Sequence, residues 1–218
     1  MKIRLTTAIF LLVLLTTINF NKKTIISKFN LQEIKVENNF IIKEEDIKKL
    51  LIPIYNKNLI FLKNREIEEV LLQNNFIDSF NIKKIYPRTL KVKIFEKRPI
   101  AILFNKKDKF YLSEKIDLIR YLKLPDYENL PYVFGNKNDF KILYNDLNKI
   151  NFPLNQIKKF ILYESKRWDL ETKNEIIIKL PSKDYVKSLQ NYLKQINNDN
   201  FRKYKVFDYR INNQLILK

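Results

Sequence analysis

An alternating strand between two prolines is the feature that most restricts what this chain can fold into. It lies between Pro87 and Pro99, in the stretch IYPRTLKVKIFEKRPIAIL. Leu90, Val92 and Ile94 alternate there with lysines. A period of two predicts a strand that buries one face. Because proline cannot donate to a strand ladder, the two prolines delimit this strand.

Composition excludes several classes of function. The 218 residues include no cysteine and no histidine, and Gly135 is the only glycine. These absences exclude disulfides, thiolate and imidazole metal sites, histidine-based catalysis and glycine-rich phosphate loops. We therefore predict a protein that is not an enzyme, with no catalytic residue, no cofactor, no metal and no small-molecule substrate.

The strong positive charge is open to two interpretations. The formal net charge is +18 at pH 7, which is compatible with binding to nucleic acid or to anionic lipid. However, the lysines are spread along the chain, and arginine, which is preferred for phosphate and base contacts, is rare among the 42 basic residues. We favour compositional drift and predict no nucleic-acid partner.

The N-terminal residues predict a membrane anchor. Residues 5–20 are apolar on every side, unlike a core helix, which would show one polar face. The run is slightly shorter than the roughly 20 residues of a spanning helix, but Arg4 and Lys22 can reach the two interfaces. A cleaved signal peptide would need a small-residue motif, which TTINF lacks. We predict a cytoplasmic tail at 1–4 and an anchor at 5–21.

The next part of the chain predicts an α+β layer. Ile34 and Val36 alternate with charged residues in a first strand, and two short amphipathic helices follow in KEEDIKKLL and NREIEEVLL. Two further strands are joined by a turn at Tyr86-Pro87-Arg88. The order is β-α-α-β-β, in which two helices cover one face of a small sheet.

The remaining residues predict a mixed β domain with two helices. Helical spacing occurs in NDFKILYNDLNKI and in SKDYVKSLQNYLKQIN, whereas KFYLSEKIDLI and IKKFILYESKRWDLETKNEIIIKLP have the pattern of strands. A last strand is predicted from Lys205 to Leu217. The predicted N-caps of three helices are Asn64, Asn138 and Ser182.

These motifs, in this order, resemble the FtsQ/DivIB family of bacterial cell-division proteins. The β-α-α-β-β part is similar to a POTRA domain, the polypeptide-transport-associated fold. The residues that fit the family's motifs are Tyr86, Pro87, Leu90, Val92, Glu96, Arg98, Pro99, Leu130, Pro131, Gly135, Trp168, Asp208 and Arg210. The chain departs from the family at Asn38-Asn39 and at Asn174-Glu175, where a glycine turn is usual, and at Ile211, where tyrosine is frequent.

The resemblance implies a domain organisation and a role. It implies a POTRA domain at 30–98 and an FtsQ-type β domain at 99–218. The expected role is a non-catalytic scaffold of the inner membrane at the division septum, with the N-terminus in the cytoplasm and both domains in the periplasm. The β domain would bind FtsB- and FtsL-type proteins, and FtsK is a candidate partner of the POTRA domain. The alternative is a periplasmic POTRA module in protein export or outer-membrane assembly.

The last strand offers a physical route to partner binding. A terminal strand is often an edge strand, and an added strand from a partner would pair its free backbone groups. The predicted partner-binding residues are Tyr209, Arg210, Ile211, Asn213, Leu215 and Leu217. In the alternative interpretation the strand is central and these residues are core. We expect Trp168 to be a core anchor, and Asp208 and Arg210 to hold the strand to a neighbour.

Overall fold

The chain divides between Glu96 and Lys97 into two units. The computed structural model describes residues 2–17, 27–105, 108–211 and 214–218. The α-helices are α1 (Lys2–Thr17), α2 (Glu44–Leu50), α3 (Asn64–Leu71), α4 (Lys137–Lys149) and α5 (Tyr185–Gln195). The strands are β1 (Glu33–Glu37), β2 (Ile77–Ile85), β3 (Thr89–Glu96), β4 (Pro99–Asn105), β5 (Asp108–Ser113), β6 (Leu118–Arg120), β7 (Tyr132–Phe134), β8 (Ile157–Leu162), β9 (Trp168–Thr172), β10 (Ile177–Lys179), β11 (Val206–Asp208) and β12 (Ile216–Leu217).

Helix α1 covers most of the predicted anchor. Its described side chains at positions 5–13 are exposed and mainly apolar. Among the described residues, no helix has both the length and the apolar character needed to cross a membrane. Residues 18–21 of the predicted anchor lie outside the described residues, as does Met1 of the predicted tail.

The first unit confirms the predicted β-α-α-β-β order. Its sheet has the order β1-β3-β2, in which β1 pairs parallel and β2 antiparallel to the central strand β3. The alternating residues Leu90, Val92 and Ile94 are all fully buried. Ile47 of α2 and Ile67 of α3 are also fully buried, so the helices supply the second layer that a one-sided apolar strand requires.

The second unit is the predicted mixed β domain with two helices. Within the described residues its sheet has the order β12-β11-β10-β9-β8-β7-β4-β5-β6. Phe140 and Leu147 of α4 and Leu189 of α5 join the buried cluster that the inward-facing strand residues form. The two helices therefore cover one face of the sheet.

The carboxylate of Glu96 ties the end of β3 to the loop that follows β1. Its oxygens accept hydrogen bonds from the backbone N–H groups of Phe40, Ile41 and Ile42, at 3.0, 2.7 and 2.8 Å. Asn38, in the same loop, has a positive φ of 63° and donates from its side chain to the Ile94 carbonyl at 2.7 Å. Asparagine tolerates the left-handed region better than most residues, so it can stand where the family often has glycine.

Gly135 is required for space. A Cβ atom added there would lie 2.9 Å from Cβ of Leu162 and 3.2 Å from Cη2 of Trp168. Neither atom can move far, since Leu162 Cβ is fixed by its own backbone and Trp168 is only 4% exposed. The single glycine of the chain is therefore explained by a close approach between β7 and the β8–β9 pair.

The three predicted N-caps are wrong. Helix α3 is capped at Lys63, whose N–H donates to Glu66 Oε1 at 3.2 Å, and Asn64 is its first residue. Helix α4 is capped by Asn136, whose Oδ1 accepts the Asp139 N–H at 2.9 Å. Asp184, at a positive φ of 54°, precedes α5 in place of Ser182. The α4 and α5 stretches contain several residues able to cap a helix, and the surrounding backbone selects among them, whereas the start of α3 differs from the prediction by one residue.

We expect Glu96→Gln to destabilise the first unit. The substitution removes the charge that strengthens three backbone hydrogen bonds and places an amide NH₂ beside N–H donors, which costs about 1–3 kcal/mol. Urea unfolding followed by circular dichroism measures the loss. Glu37→Gln is the matched control, because Glu37 forms an exposed ion pair with Lys91 on the same sheet, and little change is expected. Equal effects of the two substitutions would contradict this role of Glu96.

We expect Gly135→Ala to destabilise the second unit by about 1–3 kcal/mol, because the added methyl overpacks a filled site. Trp168 is the only tryptophan of the chain and lies at the contact, so its fluorescence reports both the local disturbance and the unfolding midpoint. Asn174→Ala, in an exposed turn, is the control and should leave both unchanged. A wild-type midpoint for Gly135→Ala would refute the close-approach explanation.

Candidate partner-binding site

Strand β12 lies at one edge of the nine-stranded sheet of the second unit. It pairs antiparallel with β11, with Ile216 opposite Asp208 and Leu217 opposite Phe207. The next residue, Lys218, exchanges backbone hydrogen bonds with Val206 at 2.9 and 3.1 Å. Because backbone groups alternate in direction along a strand, those of Leu217 point away from β11. In the described part of the chain no strand pairs with this edge.

The predicted single strand from Lys205 to Leu217 is wrong. It is split into β11 and β12 by a turn. Asp208 Oδ1 accepts the N–H of Arg210 at 3.1 Å, and the Gln214 N–H donates to the Ile211 carbonyl at 3.2 Å. A side chain that bonds to the backbone two residues later favours a turn over a continuous ladder, so the aspartate ends β11.

The predicted partner-binding residues fall into exposed and buried groups. Ile211 is 51% exposed and Arg210 is also exposed, whereas Leu215 and Leu217 are half-buried against the core. Tyr209 is buried, and its hydroxyl donates to Gln195 Oε1 at 3.1 Å. Burial raises the pKa of the Tyr209 hydroxyl. Asn213 lies outside the described residues.

A groove of about 480 Å³ lies beside the exposed members of this set. Ile211, Leu215 and Tyr209 form its apolar part. Pro181 also lines the groove. The remaining lining residues are polar or charged and come mainly from α5 and the turn before it: Lys183, Asp184, Lys187, Ser188, Asn191 and Gln214. Two lysines against one aspartate make the groove basic.

Asp208 and Arg210 pair with each other, and Lys179 on the neighbouring strand β10 also attracts Asp208, so their expected role in holding the strand to a neighbour stays a prediction. The Arg210 guanidinium donates to both carboxylate oxygens, from Nε at 2.8 and 3.0 Å and from Nη2 at 2.5 Å. The Asp208 side chain is 5% exposed and that of Arg210 is 43% exposed. These hydrogen bonds hold the pKa of the Asp208 carboxyl below its usual range.

Asp169 is a second buried carboxylate near this site, and sequence analysis missed it. It lies on β9 opposite Lys179, which in turn lies opposite Asp208. Among the described residues Asp169 Oδ1 has no hydrogen-bond partner. Burial raises the pKa of this carboxyl, although Arg167 and Lys179 act in the opposite direction. The alternation in RWDLET places Asp169 on the opposite face from Trp168 and Leu170, but it does not show that this face is buried here.

The other motif residues have structural positions. Trp168 is in the core, with its ring edge-on to Phe140 at 6.3 Å between centroids. The Pro131 carbonyl accepts the Ile102 N–H at 2.9 Å, which pairs β7 with β4. Arg98 is exposed, 3.7 Å from Glu114, and Pro99 is the buried first residue of β4. Tyr86 and Pro87 form the turn before β3, and the peptide bond between them is cis.

Comparisons with known proteins agree with these motifs. Residues 29–97 match the family model of the FtsQ-type POTRA domain, and residues 102–210 match that of the C-terminal part of cell division protein FtsQ/DivIB. The chain is 28% identical over 207 residues to cell division protein FtsQ of Rickettsia conorii, covering 93% of this chain and 77% of that protein. It is 22% identical over 163 residues to that of Rhizobium meliloti, covering 74% and 53%.

A solved structure is also similar in part. The major extracytoplasmic domain of the cell division protein DivIB from Geobacillus stearothermophilus matches with a TM-score of 0.35 and 14% identity. The match covers 48% of this chain and 98% of that one.

We expect Arg210→Gln to lower stability at neutral pH and to change its pH dependence. A depressed carboxyl pKa contributes stability above the unfolded value of about 4, and this contribution is lost as the pH falls through the folded pKa. Without the Arg210 guanidinium, the largest cause of the lowered Asp208 pKa is lost, while burial still raises this pKa against the backbone N–H of residue 210 and Lys179. The difference between variant and wild type should therefore shrink below about pH 4.

Urea midpoints between neutral pH and about pH 3 measure this effect. Arg202→Gln is the matched control, because Arg202 forms an exposed pair with Asp199 at 3.0 Å. It should change stability little at any pH. A pH-independent loss in Arg210→Gln would mean that packing of the arginine, and not its charge, stabilises the turn.

Proposed function

The chain belongs to the FtsQ/DivIB family of bacterial cell-division proteins, and on this premise we propose that it is a non-catalytic scaffold of the division machinery. In this role it binds FtsB- and FtsL-type membrane proteins by strand addition at β12. The observation that carries the proposal is the position of β12 at the edge of the sheet, where its outer backbone groups face no strand of the described chain.

The free backbone groups of β12 can bind a partner strand through main-chain hydrogen bonds, which depend little on the partner's sequence. A partner strand beside β12 would pair with the outward N–H and C=O of Leu217, which supports docking by main-chain hydrogen bonds. Because β12 has only two residues, the edge alone offers few such bonds. The adjoining surface must therefore contribute to any stable complex.

The groove beside β12 supports selection of the partner. Exposed Ile211 and half-buried Leu215 offer an apolar contact, while Lys183 and Lys187 make the surroundings positive. Apolar contacts at the centre and opposite charges at the rim are the usual composition of a specific interface. We infer a partner segment with an extended part and a nearby apolar residue flanked by acidic side chains.

We further propose an inner-membrane location, with residues 5–21 as the anchor, the N-terminus in the cytoplasm and both folded units in the periplasm at the septum. The exposed apolar side chains of α1 and the apolar residues that continue to Phe20 support this topology. FtsK remains the candidate partner of the first unit.

Photo-crosslinking in cells tests the partner site. A photoreactive amino acid at Ile216, which is 37% exposed on edge strand β12, should give one adduct with an FtsB- or FtsL-type protein. The matched control is Leu118, which is 42% exposed on β6 at the opposite edge of the same sheet. Ile216→Lys should abolish co-purification of the partner, because lysine on an edge opposes strand addition, and Leu118→Lys should not.

Three outcomes would contradict the proposal. One is the absence of an adduct from position 216 in a folded protein. Another is equal labelling of the same protein from both edges. A third is a heterogeneous set of β-rich client proteins, which would favour the alternative of a POTRA module in export or outer-membrane assembly.

A further inference from the structure

Within the first unit, the short segment 29–32 that precedes β1 is held between two loops. The Leu59 N–H donates to the Phe29 carbonyl at 2.8 Å, and the Leu31 N–H donates to the Lys57 carbonyl at 2.9 Å. On the other side, the Gln32 N–H donates to the Arg88 carbonyl at 2.9 Å. The loop around position 60 and the turn around position 86 therefore lie on either side of the point where the chain arrives from α1.

These two loops carry apolar side chains exposed to solvent. Phe61 is 69% exposed, Ile60 is 49% exposed and Tyr86 is 53% exposed. The Tyr86 ring packs edge-on against Phe29, with centroids 6.1 Å apart. We define the N-terminal rim as these apolar residues together with the nearby cations: Phe29, Ile60, Phe61, Tyr86, Lys28, Lys63 and Arg88. Large exposed aromatic side chains that are grouped together usually mark a contact surface.

The rim is also positively charged. The Arg88 guanidinium donates to the Lys28 carbonyl at 3.2 Å and to Gln32 Oε1 at 2.9 Å, and both acceptors are neutral. Lys57 is neutralised by Glu66 at 2.6 Å. In the described part of the chain, no carboxylate forms an ion pair with Lys28, Lys63 or Arg88. The rim therefore carries an excess of cations among aromatic residues.

The covalent connection keeps this rim close to α1. Nine residues, 18–26, separate Thr17 from Ser27, and a peptide of that length spans at most about 35 Å. Because this linker is short, the rim stays near any structure that binds α1. A contact between the rim and that structure is therefore intramolecular and has a high effective concentration. With the anchor proposed above, that object is the lipid bilayer, so this inference rests on the proposed topology.

We propose that the N-terminal rim docks on the anionic surface of the membrane that holds the anchor. Aromatic side chains favour the headgroup region of a bilayer, and basic residues near the surface are attracted by anionic lipid headgroups. The rim presents aromatic and basic side chains on the side of the first unit where the linker from α1 enters. This contact orients the first unit on the membrane.

A pair of single-cysteine variants tests the proposal, and because the chain has no cysteine each label is unique. Phe61→Cys places an environment-sensitive fluorophore on the rim. Phe40→Cys is the matched control, because Phe40 is 84% exposed in the loop after β1, at the other end of that strand from the rim. The full chain is reconstituted in vesicles of phosphatidylcholine with phosphatidylglycerol, some of which carry a headgroup nitroxide quencher.

We expect blue-shifted emission and strong nitroxide quenching for the label at position 61, and neither for the label at position 40. High salt or vesicles of phosphatidylcholine alone should reduce the quenching at position 61, because the attraction to anionic headgroups is screened or removed. If the chain resists carbonate extraction but both labels are quenched equally and weakly, the anchor stands and the docking of the rim is contradicted. Extraction of the chain by carbonate would overturn the anchor and, with it, the premise. Shielding of position 61 only after a second protein is added would also overturn the inference.

Discussion

A single row of apolar residues across the large sheet sets the arrangement of the second unit. Leu103, Val133, Phe160, Leu170, Ile178 and Phe207 are paired in register across β4, β7, β8, β9, β10 and β11. All six are buried in one cluster with α4 and α5. A slip of one residue in any strand would turn its share of the row to the opposite face, so burial sets the register. The same row leaves β12 outside β11, at the edge where partner binding is proposed.

The face of this sheet opposite the helices carries three adjacent charged residues next to the proposed partner site. Asp169, Lys179 and Asp208 are neighbours in register across three strands. The two aspartates are both buried, yet their pKa values shift in opposite directions. Burial is the largest cause at Asp169, whereas at Asp208 the direct hydrogen bonds from Arg210 outweigh burial. A turn arginine thus supports a buried charge next to the proposed partner groove.

The two proposed surfaces belong to different units and differ in chemistry. The β12 edge offers free backbone groups beside a groove of mixed polarity, as expected for an extended protein segment. The N-terminal rim offers aromatic side chains on loops, with cations that form no ion pair in the described part of the chain, as expected for a headgroup layer. Both surfaces lie beside a well-packed sheet, because residues that complete no core remain free to make contacts.

Sequence alone determined the elements that depend on local pattern. The alternation around Leu90 identified β3, and the order of strands and helices identified the two folded units, because periodicity in a half-buried element is written directly in its residues. Family motifs located Glu96 and Gly135 without giving their roles. Only the tertiary structure decided those roles: three backbone donors converge on Glu96, and two side chains close on Gly135. It also decided that the last strand is two strands, and which aspartate is paired. Those outcomes depend on contacts between residues distant in the chain or on the competition among nearby hydrogen bonds, which no local pattern encodes.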